Sequence, residues 1–327
     1  MSLGAEVDAI AARVRDHPGL RNKAPIGMVS DVFGAGDWVH GPGDDGAVVP
    51  APGGSLVVGG EAMAPAFVER DPFGAGVAAV VTNVNDLAAM GARPLAIVDA
   101  VVASEAAARA ALEGMRFAAD LYDVPVVGGH LTVQPGPAFV SAFGLGRAGT
   151  VLSVANAAPG QSLLLACVTE GRMRQDFPFF PSFDERGRRL AGDVRVLADV
   201  AAAGTCVAAK DVSMAGIVGS AAMLVECRHL GVTVDLEAVP VPAGVDLATW
   251  LIAFPCFAFL LCVPPGREDD CARPFLERGI EARIIGSLDP SGVVAVASGG
   301  RSAVVVDLNA APVTGLARQS AERSRQR

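Results

Sequence analysis

Apolar and polar positions change their period several times along this 327-residue chain, and each change marks an element. Residues 5–16 carry apolar positions at helical spacing and predict a short opening helix. From residue 47 the runs become short. Residues 47–50 and 55–59 read as strands separated by a Pro-Gly-Gly turn. Residues 73–90 are rich in Ala and Val and too long for one strand, so they predict a helix, with Gly91 as its C′ residue and Pro94 beyond. Residues 95–103 form a strand. Ser104 caps a helix running to about Tyr122, with Glu105 in its first turn. Residues 124–127 and 138–145 are strands again. This β-α-β-α-β order predicts an α+β, ferredoxin-like sheet.

The pattern loosens between 148 and 158, and a domain boundary there divides the chain into residues 1–150 and 151–327. The second half repeats the style. Strands are expected at 162–168, 206–211, 232–236, 256–263, 282–285 and 293–297, and helices at 188–203, 215–230 and 267–278. Residues 171–187 form a long loop containing Phe177, Pro178, Phe179, Phe180 and Pro181. A loop longer than about 12 residues is usually functional or disordered. Its aromatics fit either a lid over a pocket or a loop packed on the domain surface.

Composition narrows the function. The chain is 51% hydrophobic and 19% charged, enough for a well-buried core. A net charge of −9 argues against a nucleic-acid footprint. No apolar run reaches the roughly 18 residues needed to cross a bilayer, so no membrane partner is expected. The six cysteines include no C-x-x-C pair, and most have apolar neighbours, so cytoplasmic free thiols are expected rather than zinc ligands. No signal segment with a charged start and apolar centre is seen.

Several nucleotide and hydrolase motifs fail. Lys23 and Lys210 are followed by Ala24 and Asp211, so no Walker-type phosphate loop exists. Gly144, Gly146 and Gly149 match G-x-G-x-x-G after a strand, but the following β-branched stretch opens no helix, as a dinucleotide fingerprint requires. No G-x-S-x-G elbow is present. What remains is acidic. Asp44 and Asp45 sit between Gly43 and Gly46, where glycine lets backbone approach phosphate and carboxylates offer oxygen to a hard cation. Glu61 follows a strand ending in Gly59-Gly60. Asn83, Asn85 and Asp86 lie on the helix that ends at Gly91. Asp211 ends a strand, with Ser213 before the next helix. Magnesium commonly takes one or two protein carboxylates plus phosphate oxygens, so this set points to an ATP-using protein. Gly128-Gly129-His130 follows a strand, where its glycines permit a tight turn at a sheet end.

Gly43–Ala47, Asn83–Pro94, Gly128–His130 and Asp211–Gly216, in that order, resemble the AIR synthetase-related, or PurM-like, superfamily. Its members include AIR synthetase, thiamine-monophosphate kinase, selenophosphate synthetase and HypE. The resemblance covers roughly residues 25–300. It implies a two-domain α/β fold: an N-terminal domain that pairs with its copy into a barrel-like homodimer, and a C-terminal α/β sandwich domain. It implies ATP and Mg²⁺ as cofactors, held at Gly43, Asp44, Asp45, Asn83, Asn85, Asp86, Gly128, Gly129 and Ser213. The implied metal ligands are Asp44 or Asp45, Asp86 and Asp211, with Glu61 where relatives usually have Asp. His130 and Asp211 are the implied catalytic residues.

The departures lie on the acceptor side. Thiamine-monophosphate kinase usually has Gly-Gly-Asp-Thr where this chain has Gly128-Gly129-His130-Leu131, and an acid where Met214 stands. Its later acidic segment is replaced around Phe257. The reactive cysteines of selenophosphate synthetase and HypE are missing. The expected function is an ATP- and Mg²⁺-dependent enzyme that phosphorylates, or activates by phosphorylation, an unassigned small molecule. The alternatives are a thiamine-monophosphate kinase and a non-catalytic ATP-binding or maturation partner protein.

Overall fold

A computed structural model describes residues 3–33, 40–175 and 177–316. The chain divides into two compact units. One contains residues 45–151 and 183–202; the other contains the described parts of 1–44, 152–182 and 203–327. The chain crosses between them at 151/152, at 44/45, and around a 183–202 excursion.

The chain opens with helices α1 (Leu3–Arg15), α2 (Pro18–Arg21) and α3 (Gly27–Phe33). The five-stranded unit follows. Strands β1 (Ala47–Ala51) and β2 (Gly54–Ala62) form a hairpin across Pro52-Gly53, with Gly53 at φ 75°, the pattern of a type II turn. Helices α4 (Pro65–Arg70) and α5 (Pro72–Ala89) come next, then β3 (Arg93–Ala103), α6 (Glu105–Tyr122), β4 (Val126–Val133) and β5 (Phe139–Ala148). The sheet order is β1-β2-β5-β3-β4, antiparallel except for the β3–β4 pair.

Local chemistry sets the helix ends. Asp71 accepts a hydrogen bond from the Gly74 amide (2.8 Å) and Pro72 fills the first turn, so α5 starts there. It stops at Gly91, whose φ of 70° is open to glycine, and the Ala92 amide reaches back to the Leu87 carbonyl. Ser104 caps α6 through the Ala107 amide.

Strand β6 (Ser162–Cys167) starts the seven-stranded unit. Next come β7 (Phe179–Phe180), α7 (Phe183–Arg186) and α8 (Arg189–Ala202), the last packing on α5 and α6. The chain continues through β8 (Ala208–Asp211), α9 (Gly216–Glu226), β9 (Gly231–Asp235), α10 (Leu247–Trp250), β10 (Phe254–Pro255) and β11 (Ala258–Val263). It ends with α11 (Glu268–Leu276), β12 (Glu281–Asp289), β13 (Val293–Ser298) and β14 (Arg301–Asp307). The sheet order is β14-β13-β9-β12-β6-β11-β8. Every residue of β11 and of α9 is buried; β11 reads as a continuous apolar run, and α9 is apolar apart from Ser220 and Glu226. None of the six cysteines is in a disulfide, and burial pushes the Cys262 and Cys271 thiols up to about 12, as expected of packing groups.

One expectation changes, one open alternative resolves and one strand is added. Gly128-Gly129-His130 is not a turn: it lies inside β4, an edge strand paired in parallel with β3. Flanking Val126, Val127, Thr132 and Val133 supply strand propensity that two glycines do not overturn. The aromatic loop is packed: β7 pairs with β10, Phe180 is buried edge-to-face against Trp250 (5.2 Å between centroids), and Phe179 stacks near Phe254 (5.4 Å). Beyond β13, the sheet gains β14, whose alternation is weak because its side chains stay largely exposed.

Candidate functional site

The two neighbouring acids of the glycine-rich loop have different jobs. Asp44 Oδ2 accepts from Ser153 Oγ at 2.8 Å and Oδ1 from the Val154 amide at 2.7 Å, while Ser153 Oγ also accepts from the Gly41 amide. Asp44 thereby fastens the loop to the start of the 3₁₀ turn Val154–Asn156. Gly43, at φ 92°, makes the bend that precedes it. Asp45 belongs to the five-stranded unit, where one of its carboxylate oxygens lies within 4.8 Å of one from Asp86.

Asp86 is placed by unusually close packing of α5 on β2 and β5. Gly59 and Gly144 are paired across these strands. A methyl group on Gly144 would sit 3.1 Å from Asn83 Oδ1 and 2.9 Å from Leu87; on Gly146 it would sit 3.0 Å from Ala92. A methyl group on Gly59 would touch Asn83 Oδ1, the Asp45 carbonyl and Asp86 Cβ at 3.7–3.9 Å. Gly144 and Gly146 of the failed dinucleotide motif are therefore strand residues that let a helix approach, while Gly149 lies beyond β5 in open space. Asn83 is fully buried; its amide nitrogen donates to the Ala79 and Ala142 carbonyls, while its Oδ1 is buried and accepts no hydrogen bond. Asn85 is buried on the same helix. Glu61 shares the β2 face of Val57 and Gly59 and is exposed near the strand's end. Asp45, Asp86, Asn83 and Gly59 thus come together with oxygen donors only, a set that fits a hard divalent cation such as Mg²⁺.

His130 is not brought to them. It pairs with Ala100 in register with the Val98–Phe143 row, on the face of the sheet turned away from α5 and α6, and its Nε2 meets Thr132 Oγ1 at 3.0 Å. Gly128 also faces that side and has open space. Gly129 faces the helices, where a methyl group would lie 2.4 Å from Asp99 Oδ1. Asp99 is the residue that motif reading missed. The signal was a lone acid inside the apolar run 95–103.

In the seven-stranded unit, Asp211 closes β8 almost completely buried, 3.9 Å from Lys210 Nζ. After it the backbone turns sharply: Ala215 has φ 94° and Gly216 has φ 67°. A methyl group on Gly216 would strike the Leu251 carbonyl at 2.1 Å, so glycine is required there. A positive φ at an alanine is strained and is held by this packing. The Ser213 amide donates to Ser220 Oγ at 3.1 Å, tying the turn to the first turns of α9.

Fold and residues together define a two-unit mixed α/β protein with an oxygen-donor pair where a glycine-rich loop meets a close-packed helix. Residues 43–148 match the family model for the N-terminal domain of AIR synthase related proteins and residues 184–298 the model for the C-terminal domain, so the chain belongs to the AIR synthase-related family. It is 35% identical over 276 residues to the uncharacterized protein sll0787 of Synechocystis sp., covering 84% of this chain and 86% of that one. The fold is similar to that of Thermotoga maritima PurL complexed with ADP (TM-score 0.71, 21% identity, 85% of this chain), of which it spans 46%. It is also similar to AaThiL complexed with AMPPCP and TMP (TM-score 0.65, 17% identity), covering 85% of this chain and 95% of that one. No helix among the described residues is long and apolar enough to cross a membrane.

Proposed function

We propose that this protein is an ATP- and Mg²⁺-dependent cytoplasmic enzyme that transfers the γ-phosphoryl group to a small molecule, or activates an amide or carbonyl oxygen of one by phosphorylation. The approach of the Asp45 and Asp86 carboxylates beside Gly59 carries the reading. Carboxylate oxygens at this separation can both reach one hard divalent cation. When bound, magnesium supplies neutralisation of the charge that builds on a transferring phosphoryl group. We assign Asp45 and Asp86 as ligands, with Glu61 and Asp211 as further candidates from the sequence. Asp44 sets the loop that presents Asp45. Asn83 offers only its Oδ1, since its amide nitrogen is held by the Ala79 and Ala142 carbonyls, so it belongs with the cation's oxygen donors. Gly43, Asn85 and Ser213 are the candidates from the sequence for positioning the phosphates.

The direct test is calorimetric titration with ATP and Mg²⁺. Binding by the intact protein is expected, with loss of at least about tenfold in affinity for Asp86→Ala, in line with removal of a charged ligand. An intact protein that binds no nucleotide overturns the proposal. A coupled ADP-release assay then separates acceptors, thiamine monophosphate first. A binding protein without turnover is the second reading, favoured by Met214 in place of an acid and by His130 on the opposite sheet face from Asp86. It predicts ATP binding with no ADP release for any acceptor.

We further propose a homodimer formed through the sheet face turned away from α5 and α6. Val58, Val98, Phe139 and Phe143 lie there with 39–47% of their surface exposed, a row of apolar groups rarely left in water. Light scattering on the intact protein should give twice the chain mass, and Val98→Asp should give the monomer.

A further inference from the structure

On its helix side, the five-stranded sheet also holds a cavity of about 660 Å³ between α6 and the strands β3 and β4. That volume is in the range of small-molecule sites. Its floor contains Asp99. Alternate residues of β3 on this face are Ile97, Asp99 and Val101, and both neighbours are fully buried. An acid in the middle of that row is costly unless something solvates or pairs it. Among the described residues no cation pairs with Asp99, and burial raises its pKa above the usual carboxylate range. Gly129, directly across on β4, is bare where any side chain would collide with the Asp99 carboxylate at 2.4 Å. Two residues of neighbouring strands therefore keep one carboxylate in place and open to the cavity.

The walls are apolar, from Met115, Ala119 and Val124, and the rim carries Arg116 and Arg188. Neither arginine has a carboxylate partner among the described residues. Of the other acids lining the cavity, Asp123 is held by Arg195 at 3.3 Å and Asp120 is exposed at its edge. The order from floor to rim is thus anion, apolar wall, cation.

We propose that this cavity binds a small zwitterion whose ammonium group meets Asp99 and whose carboxylate meets Arg116 and Arg188, with an apolar body between them. None of the residues assigned above to magnesium or phosphate carries this inference. Gly129, which the resemblance implies for nucleotide binding, acts here by leaving room.

The test uses the full chain and saturation-transfer NMR with 6-aminohexanoic acid, and hexylamine and hexanoic acid as half-molecule controls. The zwitterion is expected to bind, hexanoic acid not to bind, and hexylamine to bind more weakly. Asp99→Asn should abolish the signal. Arg116→Glu, on an exposed helix position that does not threaten folding, should weaken it by about tenfold, the effect of reversing one charge-assisted contact. No binding of 6-aminohexanoic acid, binding unchanged by Asp99→Asn, or equal binding of hexanoic acid overturns the proposal.

Discussion

Helices α5 and α6 cover the same face of the same five strands by opposite means. Over β2 and β5 the sheet presents Gly59, Gly144 and Gly146, and α5 sinks onto them until Asn83 and Leu87 are in contact with strand backbone. It is apolar on nearly every side and buried almost throughout. Helix α6 is amphipathic, with Arg109, Glu113 and Arg116 in solvent, and it lies over strands where Asp99 interrupts the apolar row and a cavity remains. Close packing holds Asp86 to one position, as a metal or phosphate ligand needs. Looser packing leaves room for a second molecule. One sheet thus offers a rigid half and an open half.

Helix α8 packs on both, so its anchor is the largest lever on the comparison. Arg186 Nε and Nη2 donate to Asp193 Oδ2 at 2.9 and 2.7 Å, with side chains 1% and 0% exposed. Asp193→Ala removes both of these hydrogen bonds and the carboxylate charge from a buried guanidinium and should cost about 3–5 kcal/mol in urea denaturation. Next comes the seam between α5 and α6. A methyl group on Gly114 would meet the Phe73 carbonyl at 2.1 Å. Alanine gains about 1 kcal/mol of helix propensity there, yet Gly114→Ala should still destabilise by about 1–3 kcal/mol, because the Phe73 carbonyl and the Val77 amide nitrogen, 3.1 Å from that methyl group, are both backbone. Full stability in this variant would mean that the helices are not locked at this point.

The glycine pair of β4 gives a finer test, because adjacent strand residues face opposite ways. Gly129 faces α6, and a methyl group there would hit both the Asp99 carboxylate (2.4 Å) and the Asp99 carbonyl (2.6 Å). Gly129→Ala should cost about 1–3 kcal/mol. Gly128 faces open space, so Gly128→Ala should be neutral or gain up to about 0.5 kcal/mol from lower chain entropy in the unfolded state. Equal effects of the two substitutions, read from thermal melts, would break the assignment of faces.

This pair also shows how far the sequence could be read. The Ala- and Val-rich stretch from Phe73 onward announced α5, and Gly91 its end, because both signals are local. The acids and amides of that helix were legible as a set for the same reason. What could not be read was the partner across the sheet. Gly-Gly-His has the composition of a turn, and only the parallel pairing with β3 shows Gly129 to be the space Asp99 occupies. Gly144 and Gly146 looked like a phosphate loop because sequence reports the absence of a side chain but not what fills the gap. Asp44 and Asp45 were indistinguishable as neighbours; hydrogen bonds from Ser153 and Val154, more than a hundred residues away, separate them. The aromatic loop was open between lid and packed surface until Trp250 and Phe254 were placed beside it.

The smallest expected effect separates the two halves electrostatically. Burial raises the Asp99 carboxyl above its ordinary value of 3.8, so the folded protein favours its neutral form. The folded state then binds this proton more tightly than the unfolded chain does. It loses stability as pH rises from 3.8 through the raised value, and carries the full penalty at neutral pH. Asp99→Asn has no such penalty. Its melting temperature should exceed that of the parent at pH 7, and the gap should close as pH falls toward 4. Solvent reaching the carboxylate through the cavity screens it and keeps the gap small. A gap of the same size at both pH values would mean that Asp99 is as well solvated as a surface acid. The floor of the cavity would then offer no selection for a cation, and the open half of the sheet would be merely a loosely packed one.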